Sequence, residues 1–194
     1  MFSVEERVRL SSLMLAGTLE VLSKARLIKQ VLVVSCDKRA EEIAARHDTK
    51  FLYEEKESGV NSAVATADAY CIGQGANATV VIPQDLPLLD TADISMACSL
   101  AANEDKCIVI CPSFRYDGTN LLLRKPPAAI KTFYDNESYK AHIRAATELG
   151  IHVKLFFSKK LMADLDTPED ARQIAREEGI SRTLEFLKTK TDKY

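Results

Sequence analysis

Two hydrophobic periods alternate along this chain, and their alternation constrains the fold more than any other feature. Residues 31–34, 79–82 and 107–111 are short, continuous apolar runs rich in β-branched side chains. Such runs are typical of strands covered on both faces. Between them lie stretches with a 3.6-residue repeat. Val4, Val8, Leu15, Leu19 and Leu22 fall on one face of a helix predicted over 4–25, with Glu5, Arg9 and Glu20 turned away. Ser3 is placed to cap that helix, with Glu6 as its capping-box partner. Further strands are predicted at 50–53, 121–123 and 153–157, and further helices at 37–47, 61–72, 91–102, 138–149, 168–178 and 181–188. Pro168 stands where an N1 proline is favoured, behind Thr167 as N-cap. The polar stretch 189–194 is read as frayed. Strands separated by helices build βαβ units, so the expectation is an α/β fold of three layers, α/β/α, around a mostly parallel, mixed sheet.

The 194 residues suit a single domain. The formal net charge is -2, acids and bases are interleaved, and no basic block has the density of a nucleic-acid footprint. Nucleic acid is therefore not an expected partner. The longest apolar runs fall far short of the ~20 residues that span a bilayer, so no membrane is expected either. Glu5, Glu6, Arg7 and Arg9 exclude the apolar core of a signal peptide at the start of the sequence. The five cysteines, Cys36, Cys71, Cys98, Cys107 and Cys111, lie in segments read as buried, with no CxxC and no zinc spacing. Cys107 and Cys111 read as small core residues of a strand. The expectation is a cytoplasmic protein with reduced thiols.

In an open parallel sheet, ligands gather beyond the carboxyl ends of the strands. The run Val80-Val81-Ile82-Pro83-Gln84-Asp85-Leu86-Pro87 takes a buried strand directly into an acid between two stiffening prolines. Asp85 is placed either to hold a metal against a triphosphate or to cap a turn. In Asp164-Leu165-Asp166-Thr167-Pro168-Glu169-Asp170, alternation puts Asp164 and Asp166 on one side of an extended segment. Glu169 and Asp170 are explained by the helix dipole alone. Gly59-Val60-Asn61 opens a helix, where Asn61 can cap it or meet a base edge. Asp117-Gly118-Thr119-Asn120 is a turn into an apolar strand. Ser138 and His142 share one face of a helix, and Ser138 can cap that helix or help bind phosphate. Their spacing is not that of a Ser–His nucleophilic pair. GxGxxG and GxxxxGK[ST] are both absent, which removes the main supports of dehydrogenase and P-loop readings.

The order of these motifs resembles the 2-phospho-L-lactate guanylyltransferase family of deazaflavin coenzyme biosynthesis, from about Ser3 to Ala175. The resemblance implies a Rossmann-like fold of the nucleotide-diphospho-sugar transferase type. It implies GMP transfer from GTP to 2-phospho-L-lactate or phosphoenolpyruvate, with release of pyrophosphate. It further implies magnesium held by Asp85 and Asp166 with Asp164 as neighbour, nucleotide against Gly59 and Asn61, and the phosphorylated acid against Gly118, Thr119 and Ser138. A homodimer is expected on the same ground. Asp85→Asn is expected to abolish turnover and leave folding nearly unchanged. Two departures stand out. The family opens with a strand and a basic KxxxxAKSRLS-type loop ahead of the first helix, and this sequence has neither. The family's glycine-rich approach to Ser138 reads Tyr134-Asp135-Asn136-Glu137 here, with Glu137 an anion beside an anion site. Two alternatives stay open: a nucleotide-binding relative without catalysis, and transfer to another acceptor such as molybdopterin or a sugar acid.

Overall fold

The computed structural model describes residues 2–191. Its elements run α1 (Val4–Ser23), β1 (Leu32–Ser35), α2 (Lys38–Arg46), β2 (Lys50–Tyr53), α3 (Val60–Gly73), β3 (Thr79–Val81), α4 (Thr91–Ala101), β4 (Cys107–Pro112), β5 (Thr119–Lys125), α5 (Ser138–Glu148), β6 (His152–Leu155), α6 (Pro168–Ala175) and α7 (Arg182–Thr191). Every predicted strand and helix is present. The ends moved: α6 stops at Ala175, short of 178, and α7 runs on to Thr191, so residues 189–191 are helical rather than frayed. The rest of the predicted frayed stretch, 192–194, lies outside the described residues. Both helix starts follow their caps. Glu6 N–H donates to Ser3 Oγ while Ser3 N–H donates to the Glu6 carboxylate. Thr167 and Asp170 form the same reciprocal box ahead of Pro168.

The strands form two sheets. β1 and β2 pair in parallel, and a four-stranded mixed sheet has the order β3-β5-β4-β6. β4 and β6 are parallel, whereas β5 runs antiparallel to both β3 and β4. The antiparallel β5 follows from chain length, because residues 113–118 cannot hold the dozen or more residues of a parallel crossover. α1 and α3 bridge the two sheets. Leu15 and Leu19 of α1 pack with Val31 and with Val33 of β1, while Val21 and Leu22 reach the cluster containing Val80 of β3. α3 packs on both β1 and β3.

The period-2 alternation of β4 sets the layers. Cys107, Val109 and Cys111 face α1 and α4 in one core, and Ile108 and Ile110 face α5 in another. A third core joins α1, α6 and α7 through Leu10, Ile174, Leu184 and Leu187. The result is helices on both faces of the sheet. All five cysteines are free thiols, and Cys107 and Cys111 are buried as expected. Cys36 is a correction: it is exposed, because β1 ends at Ser35 and the chain turns outward there. No helix among the described residues is long and apolar enough to cross a membrane.

Inside the second core lies a charged pair that the sequence reading passed over. Arg124, at the end of the Leu121–Leu123 run, donates to both oxygens of Asp68 on α3 at 2.7 and 2.6 Å. Arg124 is 1% exposed and Asp68 7%. The guanidinium also donates to the Ile130 carbonyl at 3.3 Å. This fork ties α3, β5 and the segment after β5 into one unit.

Candidate active site

The register places the carboxyl ends of β3 and β4 beside the amino end of β5. Val81 lies opposite Leu122, and Pro112 opposite Thr119. The amino terminus of α5 comes to the same rim, where Tyr139 N–H donates to the Asp117 carbonyl. Four of the residues expected at the site, Gly118, Ser138, Asp164 and Asp166, line one cavity of about 250 Å³ there. Asp117, Tyr134, Asp135, Asn136 and Glu137 complete its wall.

Asp85 adjoins this group without lining the cavity. It follows β3, and its carbonyl accepts from Leu165 N–H at 3.0 Å, which pins the 164–166 segment against it. Gln84 donates to Ser11 Oγ at 3.1 Å and fixes the same loop to α1. Burial raises the Asp85 carboxyl to about 6, and the negative charges of Asp166 and Asp164 push the same way. Burial also raises Asp164, reinforced by Asp166 and offset by a hydrogen bond from Asn120. Asp85 makes no side-chain cap, so the turn-capping alternative lapses for it. Neither Asp85 nor Asp164 has a basic partner at ion-pair distance among the described residues. Asp166 lies 3.5 Å from Arg115, which holds Asp170 more closely at 2.9 Å.

The donor set can be compared with the metal that the resemblance implies. Asp85, Asp164 and Asp166 offer hard oxygen donors, only Asp166 of them lying near a basic side chain, and magnesium takes such donors singly or in pairs while keeping water and phosphate as its other ligands. The residues fit that role. They do not make a complete cage: among the described residues no three Asp, Glu, His or Cys side chains are gathered as a preformed metal site. Asp166 also borders a second cavity of about 370 Å³, lined by Phe2, Arg7, Leu10, Met14, Leu165, Thr167 and Pro168.

Several expected roles change in detail. Asn61 does not cap α3, whose N-cap is Gly59 at φ 84. Its amide is committed to the cavity wall: Oδ1 accepts from Tyr134 N–H at 2.9 Å and Nδ2 donates to Asp135 at 3.1 Å. Ser138 does not cap α5 either. The N-cap is Glu137, in a left-handed conformation at φ 45 and ion-paired with Lys140. Gly118 lines the cavity, but its N–H already donates to Asp117 Oδ1 at 2.7 Å and to Ser113 Oγ at 3.1 Å. Thr119 is buried behind Ser138, their hydroxyls 3.0 Å apart, and does not reach the cavity wall. Sequence reasoning missed Ser113 and Arg115, and read Asp117 only as part of a turn; the three hold the Gly118 turn and the acidic segment. The one available signal for the turn was the Asp117-Gly118 pair.

Gly118 has little room for a side chain. A Cβ there would stand 3.2 Å from Ser113 Cβ and 3.3 Å from its Oγ. Gly118→Ala is expected to cost about 1 kcal/mol of stability, read as a Tm lowered by roughly 2–4 °C.

Known proteins share this framework. The chain is 33% identical over 153 residues to the phosphoenolpyruvate guanylyltransferase of Rubrobacter xylanophilus, covering 79% of this chain and 74% of that one. It is 31% identical over 189 residues to the 3-phospho-D-glycerate guanylyltransferase of Phenylobacterium zucineum, covering 96% and 86%. It is 28% identical over 186 residues to the 2-phospho-L-lactate guanylyltransferase of Methanobrevibacter smithii, covering 96% and 80%. Among solved structures, a protein of Desulfovibrio desulfuricans G20 assigned to the nucleotide-diphospho-sugar transferases superposes with a TM-score of 0.77 at 15% identity, over 97% of this chain and 84% of that one. This last likeness shows the fold alone, a Rossmann-like α/β architecture. The family described as "Guanylyl transferase CofC like" matches residues 1–191, and this chain belongs to it.

Proposed function

We propose that this protein transfers GMP from GTP to the phosphate of a small phosphorylated carboxylic acid, releasing pyrophosphate, in the assembly of a deazaflavin coenzyme. The acids named for its relatives are phosphoenolpyruvate, 2-phospho-L-lactate and 3-phospho-D-glycerate. They share one chemistry, a carboxylate and a phosphate on a short carbon backbone. The observation that carries the reading is the convergence of Gly118, Ser138, Asp164 and Asp166 on one small cavity, with Asp85 bonded to the segment between the two acids.

An oxygen of the acceptor phosphate attacks the α-phosphorus of GTP. A new P–O bond forms as the bond between the α-phosphorus and the bridging oxygen breaks, and pyrophosphate leaves. Two anions must approach each other, so charge compensation and in-line positioning are the whole task and no protein nucleophile is required. Magnesium, when held by Asp85 and Asp166 with Asp164 beside them, supplies that compensation. Ser138 faces the acid, Thr119 supports it from behind, and Gly118 closes the turn over it. Asn61, next to Gly59, holds the 134–135 wall against which the nucleotide is placed. From the family resemblance we also infer a homodimer of one-domain subunits working in the cytoplasm.

The test is pyrophosphate release from each nucleoside triphosphate with magnesium and each of the three acids. GTP is expected to support turnover with at least one of them, and ATP, CTP and UTP to support less. No release above background with any acid would sink the reading.

A further inference from the structure

His142 is fully buried yet makes two polar contacts of different kinds. Its Nε2 accepts from the Phe133 backbone N–H at 2.8 Å. A backbone amide can only donate, so Nε2 is the bare nitrogen. Burial, with the Arg124 charge nearby, lowers the imidazole to about 4, so the ring is neutral near pH 7 and its one proton sits on Nδ1. Nδ1 lies 3.1 Å from Thr119 Oγ1. It therefore donates to that hydroxyl.

Thr119 Oγ1 has one other partner, Ser138 Oγ at 3.0 Å. Either hydroxyl could donate across that contact, since the distance alone does not place the proton. The accounting of buried donors decides it. If Ser138 donated, the buried Thr119 proton would have no acceptor, and buried polar groups are rarely left so. With Thr119 donating to Ser138, the one proton left over belongs to Ser138, which is also buried but lines the cavity, so an anion bound there can accept it.

We propose that His142 is a positioning residue which, through Thr119, fixes Ser138 as a hydrogen-bond donor to an anionic oxygen of the acceptor acid. The proposal rests on the guanylyltransferase reading and adds a direction to it. Ser138 donates a hydrogen bond to the acid's carboxylate or phosphate, keeps its proton, and is not a nucleophile. The same histidine ties the 133–137 wall to α5, so the donor and the wall are set together.

Two measurements test this. Nitrogen NMR of the histidine ring in the wild-type protein is expected to show a protonated Nδ1 and a bare Nε2; the opposite tautomer would overturn the relay whatever the enzyme does. The second is a double-mutant cycle on the acceptor KM. Ser138→Ala and His142→Gln, the latter keeping an acceptor for Phe133 N–H, are each expected to raise the acceptor KM about tenfold with the GTP KM little changed. The double variant is expected to be no worse than Ser138→Ala alone, because one path is being cut twice. His142→Asn, which keeps an N–H near the Nδ1 position, is expected to restore most of the loss. Multiplying effects in the double variant, or a GTP KM that rises in step, would mean His142 serves packing alone and would overturn the proposal. A wild-type enzyme silent with every acid would overturn the transferase reading and this role with it, while the ring tautomer would still report on the hydrogen-bond chain.

Discussion

Asp85→Asn is expected to abolish guanylyl transfer, by about a thousandfold or more, and at the same time to make the protein more stable. The first effect follows from removing a charged oxygen donor where magnesium would offset the repulsion between two phosphates. The second follows from burial. The Asp85 carboxyl is raised from 3.8 to about 6 by desolvation, then by Asp166 and Asp164. Between those pH values the folded protein binds more protons than the unfolded chain, so stability falls as pH rises through the window, and the full cost is present above about pH 6. Asparagine carries no charge and escapes that cost. At pH 7 the variant is expected to gain up to ~3 kcal/mol, and its stability is expected to vary less than wild type's between pH 4 and 6. Urea unfolding at several pH values, alongside pyrophosphate release, checks both. The sequence alone suggested that folding would be nearly unchanged, because an acid after a strand reads as a surface-cleft residue; that Asp85 is half-buried beside two further acids is visible only in three dimensions.

The second large effect concerns Arg124. Arg124→Met leaves Asp68 buried without its bidentate partner, which is expected to cost about 3–5 kcal/mol. That corresponds to a Tm lower by roughly 10 °C for a chain of this size. Asp68→Leu combined with Arg124→Met removes both charges and is expected to recover much of the loss, because an apolar pair of similar volume leaves nothing unpaired. Because Arg124 also donates to the Ile130 carbonyl, the single variant is expected to loosen the 130–137 segment, raising the acceptor KM in the folded fraction. Thermal melts of the single and double variants separate the two contributions. A single variant within 1 kcal/mol of wild type would mean water reaches Asp68 and the fork adds little.

The pattern of sequence and structure agreement has physical causes. Strand and helix positions were legible because continuous β-branched runs and 3.6-residue stripes report burial directly. The caps at Ser3 and Thr167 were legible because a capping box is a local arrangement of neighbouring residues. Pairing is not local. The sheet was expected to be mixed, but which strand runs antiparallel was not named, although the short 113–118 connection already forbade a crossover into β5. The same limit applies at the site. Asp85, Asp164 and Asp166 stood out as acids after apolar strands or in a short cluster. The Arg124–Asp68 fork, by contrast, joins residues far apart in sequence, and neither is flagged by its neighbours. Asn61 is the intermediate case: its place at the start of α3 was right, but its amide turned to Tyr134 and Asp135 rather than to the helix it opens. His142 was visible as the i+4 companion of Ser138, yet its role depends on Phe133 and Thr119, which no helical spacing connects.

The most direct measurement is the fate of the α-phosphate. With GTP labelled at that position, magnesium and the preferred acid, wild-type protein is expected to move label onto the acid in an amount equal to the pyrophosphate released, and Asp85→Asn to move none. Label recovered only as free GMP or GDP, or full transfer by the Asp85 variant, would contradict guanylyl transfer at this site.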